Sequence, residues 1–228
     1  MKKAERDHLD FTCSSAVVHV NSTEVRRQWA ARSGEYSPEY YAYYGPDETS
    51  ETIRSILEEL VDRDAAILEL GCSSGRHLAH LHDHGFEALS GIDVNDDAFD
   101  VMAETYPDLA ADGTFYHDSI ETIVGEFDDD QFDVVYSVET LQHLHHDAEW
   151  VLEELPRITA DLLITAENEG EAESDGSASA APEVSYVNDD FPLYHRDWNR
   201  VFTELGLREL EATSGKRDTV RTFRTPQA

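Results

Sequence analysis

Between Glu69 and His146 the chain sets acids, glycines, hydroxyls and imidazoles at intervals that suit the holding of a small molecule. Glu69 is followed by Gly71, Ser73, Ser74 and Gly75, then by Arg76 and His77. Glycine and serine let backbone approach a ligand closely, and a helix opening at Arg76 adds free N–H groups to the same spot. Asp93 falls 18 positions beyond Gly75, a distance at which a second strand would end in a carboxylate able to accept hydrogen bonds from two neighbouring hydroxyls. Asp118-Ser119 and Ser137-Val138-Glu139-Thr140 repeat the arrangement, with polar groups directly after short apolar runs. His143 is the first candidate for a general base, followed by His145, His146 and Glu139.

Several chemistries fail on spacing. A phosphate-binding P-loop needs Gly-Lys-Ser/Thr where this turn has Gly75-Arg76-His77. A dinucleotide fingerprint wants G-x-G-x-x-G, and Ser73 stands where its second glycine belongs. His77, His80 and His84 fall near one face of a helix, but no cysteine or carboxylate completes a zinc pattern, so they are expected at the solvated surface and no metal is expected. Cys13 and Cys72 are too far apart to imply a disulfide framework; Cys72 should pack inside the turn as a small side chain.

Positioning these groups requires strands that end at each of them. Ala65 to Leu70, Ala88 to Val94, Phe115 to Asp118, Phe132 to Ser137 and Asp161 to Ala166 read as strands, separated by helical patterns. One helix opens at Pro46-Asp47 and carries Ile53, Ile56, Leu57, Leu60 and Val61 on one face; others run from Arg76, from Asp97 to Tyr106 and from Trp150 to Leu155. Strand alternating with helix implies right-handed crossovers and a parallel sheet. Asp197 to Leu205 reads as a helix, and Leu207 to Thr213 with Thr219 to Phe223 as a closing hairpin. Ligands on such a sheet bind beyond the carboxyl ends of its strands, where strand order reverses.

The order acid, any residue, Gly71, then Gly75 resembles motif I of class I S-adenosylmethionine-dependent methyltransferases, E/D-x-G-x-G-x-G, with Ser73 in place of the middle glycine. FDVVYSVETLQHLHH, Phe132 to His146, resembles that family's motif IV region, and the likeness extends over about residues 47 to 224. It implies an α/β three-layer sandwich with a mostly parallel seven-stranded sheet and a C-terminal antiparallel β-hairpin. It also implies S-adenosylmethionine as cofactor and a small-molecule or glycan-like acceptor. By the resemblance the Gly71, Ser73 and Gly75 turn contacts the methionine part, with Glu69 anchoring the turn or the amino group. Asp93 and Val94 would take the ribose, Asp118 and Ser119 the adenine, and Ser137 the floor beneath the sulfonium. Arg32 or Arg76 could pair with the cofactor carboxylate. The usual Lys-Pro-Gly-Gly turn before strand five is replaced by Arg157-Ile158-Thr159-Ala160, which changes that surface. A Rossmann oxidoreductase binding NAD(P) and a non-catalytic S-adenosylmethionine-binding protein are the alternatives. A nucleic-acid N6-adenine enzyme is disfavoured, because Ser137-Val138-Glu139-Thr140 is unlike Asn/Asp-Pro-Pro-Tyr/Phe.

The 228 residues, 40% hydrophobic, can bury one core of this size. Residues 1–46 read as an N-terminal arm followed by an aromatic helix or lid (Trp29, Tyr36, Tyr40, Tyr41, Tyr43, Tyr44), residues 47–228 as the binding domain, and 167–183 as a flexible acidic loop. Forty-nine acids face 17 bases, a formal net charge of -32, and only Lys2, Lys3 and Lys216 are lysines. That is the surface of a protein kept soluble in concentrated salt, which points to a halophilic source. It repels nucleic acid and anionic membranes, so neither is an expected partner. No apolar run reaches membrane-spanning length and the first residues lack a signal-peptide core, so a cytoplasmic location is expected; oligomeric state stays open.

Overall fold

The computed structural model describes residues 21–170, 183–187 and 191–226. Residues 1–20, most of the expected N-terminal arm, and 171–182, most of the expected acidic loop, lie outside them. Nine strands and nine α-helices are present among the described residues. The strands are β1 Ile67–Leu70, β2 Leu89–Asp93, β3 Thr114–His117, β4 Phe132–Val138, β5 Thr159–Glu167, β6 Glu183–Val187, β7 Phe191–His195, β8 Arg208–Ser214 and β9 Thr219–Arg224. The helices are α1 Ser22–Ala30, α2 Pro38–Tyr44, α3 Glu48–Leu60, α4 Arg76–Asp83, α5 Ala98–Thr105, α6 Pro107–Asp112, α7 Ile120–Ile123, α8 Trp150–Ile158 and α9 Trp198–Glu204.

Seven strands form one sheet in the order β3-β2-β1-β4-β5-β9-β8. The first five run parallel; β9 pairs antiparallel with β5 and β8 with β9. Strand order therefore reverses between β1 and β4, which puts the topological switch point at the Gly71 turn. Alternation along β1 separates two cores. Ile67 joins Ile53 and Leu57 of α3, Leu78 and Leu81 of α4, Met102 of α5, Tyr136 and Ile164 on one face. Leu68 and Leu70 join Val151 and Leu155 of α8, Trp198 and Phe202 of α9, Val135 and Phe223 on the other. With both faces covered, the strands must be apolar at nearly every position, as β1 is.

Local signals account for the helix starts. Asp47 caps α3 in a capping box with Ser50, and Ile53 and Leu57 are essentially buried, each worth roughly 1.5–3 kcal/mol relative to exposure. Gly75 at φ 78° lets the chain turn directly into α4. α8 passes straight into β5 without a turn: the Thr159 hydroxyl donates to the Leu155 carbonyl at 2.7 Å, and Arg157 donates to the carbonyls of Val124 and Phe127. The altered Arg157–Ala160 sequence thus makes a direct helix-to-strand junction.

Three features depart from the sequence expectation. Glu167 is the last residue of β5 and fully buried, not the start of a surface loop. The segment after it includes a separate hairpin of β6 and β7 that no hydrophobic pattern announced. The N-terminal aromatics fall on two helices, Trp29 on α1 and Tyr40, Tyr41, Tyr43 and Tyr44 on α2, with Tyr36 in the turn between them, instead of on one helix. Among the described residues no helix is long and apolar enough to cross a membrane.

Candidate active site

The turn after β1 is held by its own backbone and by β2. The Cys72 N–H donates to the Ile92 carbonyl at 2.9 Å and the Gly75 N–H to the Cys72 carbonyl at 2.8 Å. Gly71 lies at φ 70°, and a Cβ there would come within 2.3 Å of the Thr140 hydroxyl, so the turn packs directly against the segment after β4. Ser73 lies at φ 49°, in the left-handed region where the family motif has glycine. Its N–H donates to Asp93 Oδ2 at 2.7 Å, and Asp93 Oδ1 accepts from the Asn95 N–H at 2.8 Å. Asp93 therefore ties the ends of β1 and β2 together. Burial raises its pKa, against the pull of these N–H donors. Cys72 is buried, and its burial pushes the thiol up, as expected for a packing residue and not a nucleophile.

A cleft of about 920 Å³, counted out to its open mouth, runs along the strand ends. Gly71, Ser73, Asp93, Val94, Asp118 and Ser119 line it from β1, β2 and β3. Glu139, Thr140, Leu141 and His143 line it from beyond β4, and Val25, Trp29, Tyr36 and Tyr41 cover it from α1 and α2. Sequence-predicted residues from four strand ends thus meet in one space. A smaller neighbouring hollow is lined by Glu69, Gly71, Ser73, Arg76 and Tyr41. There the Tyr136 hydroxyl donates to Glu69 Oε2 at 2.9 Å, and burial holds the Glu69 carboxyl well above the usual range.

Some predicted residues sit elsewhere or are already engaged. Ser137 does not line the cleft; it is buried and donates its hydroxyl to Glu167, because alternation along β4 turns it to the other face. Ser119 caps α7, and its hydroxyl meets Thr122 Oγ1 at 2.8 Å and Arg26 at 3.3 Å. Asp118 is exposed and accepts from the Ser119 N–H at 2.7 Å. Arg76 is paired with Asp47 at 2.9 Å over the Tyr41 ring, while Arg32 lies over Phe191 and donates to the Glu35 carbonyl at 2.6 Å. His77 is buried, with Nδ1 2.7 Å from Ser50 Oγ; it packs under the Asp47 cap, and burial lowers its pKa to about 3. His80 pairs with Glu51 and His84 with the His80 carbonyl, so the three do not converge on a metal. His145 is also buried and lines the cleft, whereas His146 is exposed. With Asp147 these two bring ligand-type atoms within 4.8 Å of one another.

His143 is best placed for proton chemistry. Its Nδ1 lies 2.9 Å from the Pro192 carbonyl, an acceptor only, so Nδ1 carries the proton and Nε2 is left as an acceptor. Trp29 packs 4.7 Å from the imidazole and 4.8 Å from Phe191, ring centre to ring centre. Burial lowers the His143 pKa to about 4, against the Pro192 bond. Glu139, at φ 49°, accepts from Arg217 at 2.8 Å. Beside it burial, then the Glu139 charge, pushes Asp218 up to about 7.

Two organising residues were not visible from the sequence. Asn95, in Asp93-Val94-Asn95, donates to the carbonyls of Trp29 (2.9 Å) and Arg32 (3.1 Å), fixing the end of α1 over β2. Glu167 gathers the backbone N–H groups after β4, which local composition masked because it opens a polar stretch.

Residues 67–161 match the model of a methyltransferase domain family. No curated protein matches the chain. Among solved structures, magnesium protoporphyrin IX methyltransferase from Synechocystis, with bound S-adenosylhomocysteine, is 12% identical and has a TM-score of 0.64, over 90% of this chain and 100% of that one. A Pyrococcus horikoshii protein is 16% identical, TM-score 0.63, over 86% and 100% respectively. The 1,6-didemethyltoxoflavin-N1-methyltransferase of Burkholderia thailandensis, with its substrate and S-adenosylhomocysteine bound, is 14% identical, TM-score 0.61, over 87% and 94%. At these identities the likeness is one of fold: the seven-stranded, mostly parallel sheet with its C-terminal antiparallel hairpin is the Rossmann-like methyltransferase fold, and residues 67–161 carry the domain pattern.

Proposed function

We propose that the protein is an S-adenosylmethionine-dependent methyltransferase acting on an aromatic small molecule that carries no negative charge. The observation that carries the cofactor assignment is the Ser73–Asp93 lock: a turn with glycine-type backbone at Gly71, Ser73 and Gly75 that opens into a cleft and is fixed by the carboxylate at the end of β2. Asp93 accepts from the N–H groups of Ser73 and Asn95, with a further backbone bond from Val94, and a carboxylate has about four acceptor positions, so capacity for a ribose hydroxyl remains. The turn would hold the methionine part, Asp93 and Val94 the ribose, and Asp118 with Ser119 the adenine. Glu139, Thr140 and Leu141 take the wall role first expected of Ser137. The methyltransferase-domain match and the S-adenosylhomocysteine bound by two neighbours support the same cofactor.

Methyl transfer from a sulfonium needs little from a protein beyond positioning and, for oxygen nucleophiles, a base; the cofactor supplies the activated methyl group. Trp29, Tyr36 and Tyr41 give the cleft a flat apolar wall. Its charged lining residues are Arg26, already paired with Glu121, and the acids Asp93, Asp118, Glu121 and Glu139, so an anionic acceptor finds no favourable partner. His143 Nε2 can accept the proton of an acceptor O–H or N–H while Nδ1–H stays on Pro192.

Calorimetry in molar KCl should show S-adenosylhomocysteine binding to the wild type and no binding of NAD+ or NADH; the reverse pattern would overturn the assignment. Asp93→Ala should weaken S-adenosylhomocysteine by about 2–4 kcal/mol, because it removes charge-assisted hydrogen bonds and unlocks the turn.

A further inference from the structure

The segment that carries Thr140, Leu141 and His143 into the cleft is a short 3₁₀ turn, Leu141–His143, with few bonds of its own. Its amide end is gathered by one buried carboxylate. Glu167 Oε1 accepts from the N–H groups of Thr140 (3.2 Å) and Leu141 (3.0 Å) and from the Ser137 hydroxyl; Oε2 accepts from the Gln142 N–H at 3.1 Å. Its carbonyl end is gathered by one buried guanidinium. Arg196 donates to the carbonyls of Leu144 (2.7 Å) and Leu141 (3.4 Å), and to Tyr194 and Glu149. Next to Glu167, the Asn168 N–H donates to Gln142 Oε1 at 2.8 Å, a second tie to the same turn.

We propose that Glu167 and Arg196 are paired positioning residues, which hold the turn after β4 in the one register that presents Thr140 to the Gly71 cradle and His143 to the acceptor side of the cleft. The groups suit the geometry: acceptor oxygens meet the amide end of the turn and donor N–H groups its carbonyl end, while burial raises the Glu167 carboxyl to about 7 against the pull of its hydrogen-bond donors. Stability alone is a weak reason to bury such groups, since an ion in a protein interior costs several kcal/mol and an apolar pair often does as well. Glu167 is completely buried and Arg196 nearly so, with the Arg196 Nε left without a partner. What the two groups add is direction, because each accepts or donates along fixed bonds to specific atoms of the turn. The consequence reaches both halves of the site. Thr140 sits where any Cβ on Gly71 would be, and His143 is the only ring of this turn in the cleft. The inference rests on the cofactor reading above for its meaning in catalysis, but not for its geometry.

The test uses the full chain with Glu167→Gln, Glu167→Ala and Arg196→Lys. Three quantities are measured in molar KCl: melting temperature, Kd for S-adenosylhomocysteine, and the ring N–H signal of His143 in 15N-histidine-labelled protein, assigned with His143→Gln. Glu167→Gln keeps the volume but offers an NH2 group to an N–H that needs an acceptor. It should therefore shift or broaden the His143 Nδ1–H signal and weaken S-adenosylhomocysteine at least fivefold, with Arg196→Lys changing both in the same direction. A fall in melting temperature alone, with Kd within twofold and the His143 signal unmoved, would overturn the proposal, since that is what a merely structural role predicts. If Glu167→Ala fails to fold, Glu167→Gln decides. If the wild type binds no S-adenosylhomocysteine, the cofactor reading fails while the His143 signal still judges the positioning role.

Discussion

Ser73 holds a left-handed backbone conformation, φ 49°, at the position where the family motif has glycine. An L side chain pays about 1–2 kcal/mol to sit there, and what holds it is the bond from its N–H to Asp93. Ser73→Gly should therefore keep S-adenosylhomocysteine affinity and raise stability by up to about 1 kcal/mol, read from the urea midpoint. A tenfold loss of affinity would show instead that the hydroxyl itself touches the ligand. Two histidines with lowered pKa values give an acid-side prediction. His143 and His77 have folded pKa values, about 4 and about 3, below their unfolded value of 6.5. The stability they contribute is thus fully present above pH 6.5 and is lost as pH falls through 4. Urea unfolding at pH 7 and pH 4.5 should show a smaller acid loss in His143→Gln than in wild type, by on the order of 2 kcal/mol.

Among elements, α1 contributes most to the cleft after the strand ends. Asn95 fixes its last carbonyls, and Trp29 covers the imidazole. The indole packs on His143, Phe191 of β7 packs on the indole, and the Pro192 carbonyl meets Nδ1, so the hairpin of β6 and β7 is part of the site although it stands apart from the main sheet. Trp29→Ala should let water reach the ring and move its pKa from about 4 toward 6.5, observable by NMR titration of the labelled histidine. An unchanged titration would mean that the strand ends alone bury the ring.

At the scale of the whole molecule, 49 acids against 17 bases set the conditions under which the fold is stable. Among the described residues most arginines are spent in ion pairs such as Arg54 with Glu51 and Glu58, and Arg221 with Glu169 and Glu209, leaving a large uncompensated negative charge. Self-repulsion of that charge falls as the screening length shrinks from about 10 Å at 0.1 M salt to about 3 Å at 1 M. The melting temperature should rise steadily between 0.1 and 2 M KCl. A flat or falling profile would argue against adaptation to high salt, because weakened surface pairs would then outweigh relieved repulsion.

Hydrophobic period and turn chemistry were enough to read the parallel strands, the Pro46-Asp47 helix start, the cradle at Gly71–Gly75 and the closing hairpin, because each is a local pattern of residue types. Asp93 was legible for the same reason: a carboxylate after an apolar run, at a set distance from the turn. Local pattern could not place side chains whose partners come from elsewhere in the chain. Ser137 turned away because alternation along β4 directs it to Glu167, 30 residues on. His77 went inside because Ser50, 27 residues earlier, offers it a partner. Glu167 looked like the first residue of an acidic loop and is instead the anchor of the turn after β4. Composition determined the charge, and hydrophobic period with turn residues the fold class and the Gly71–Gly75 turn; only tertiary structure decided which buried polar groups meet, because a hydrogen bond across 25 or more residues leaves no period in the sequence.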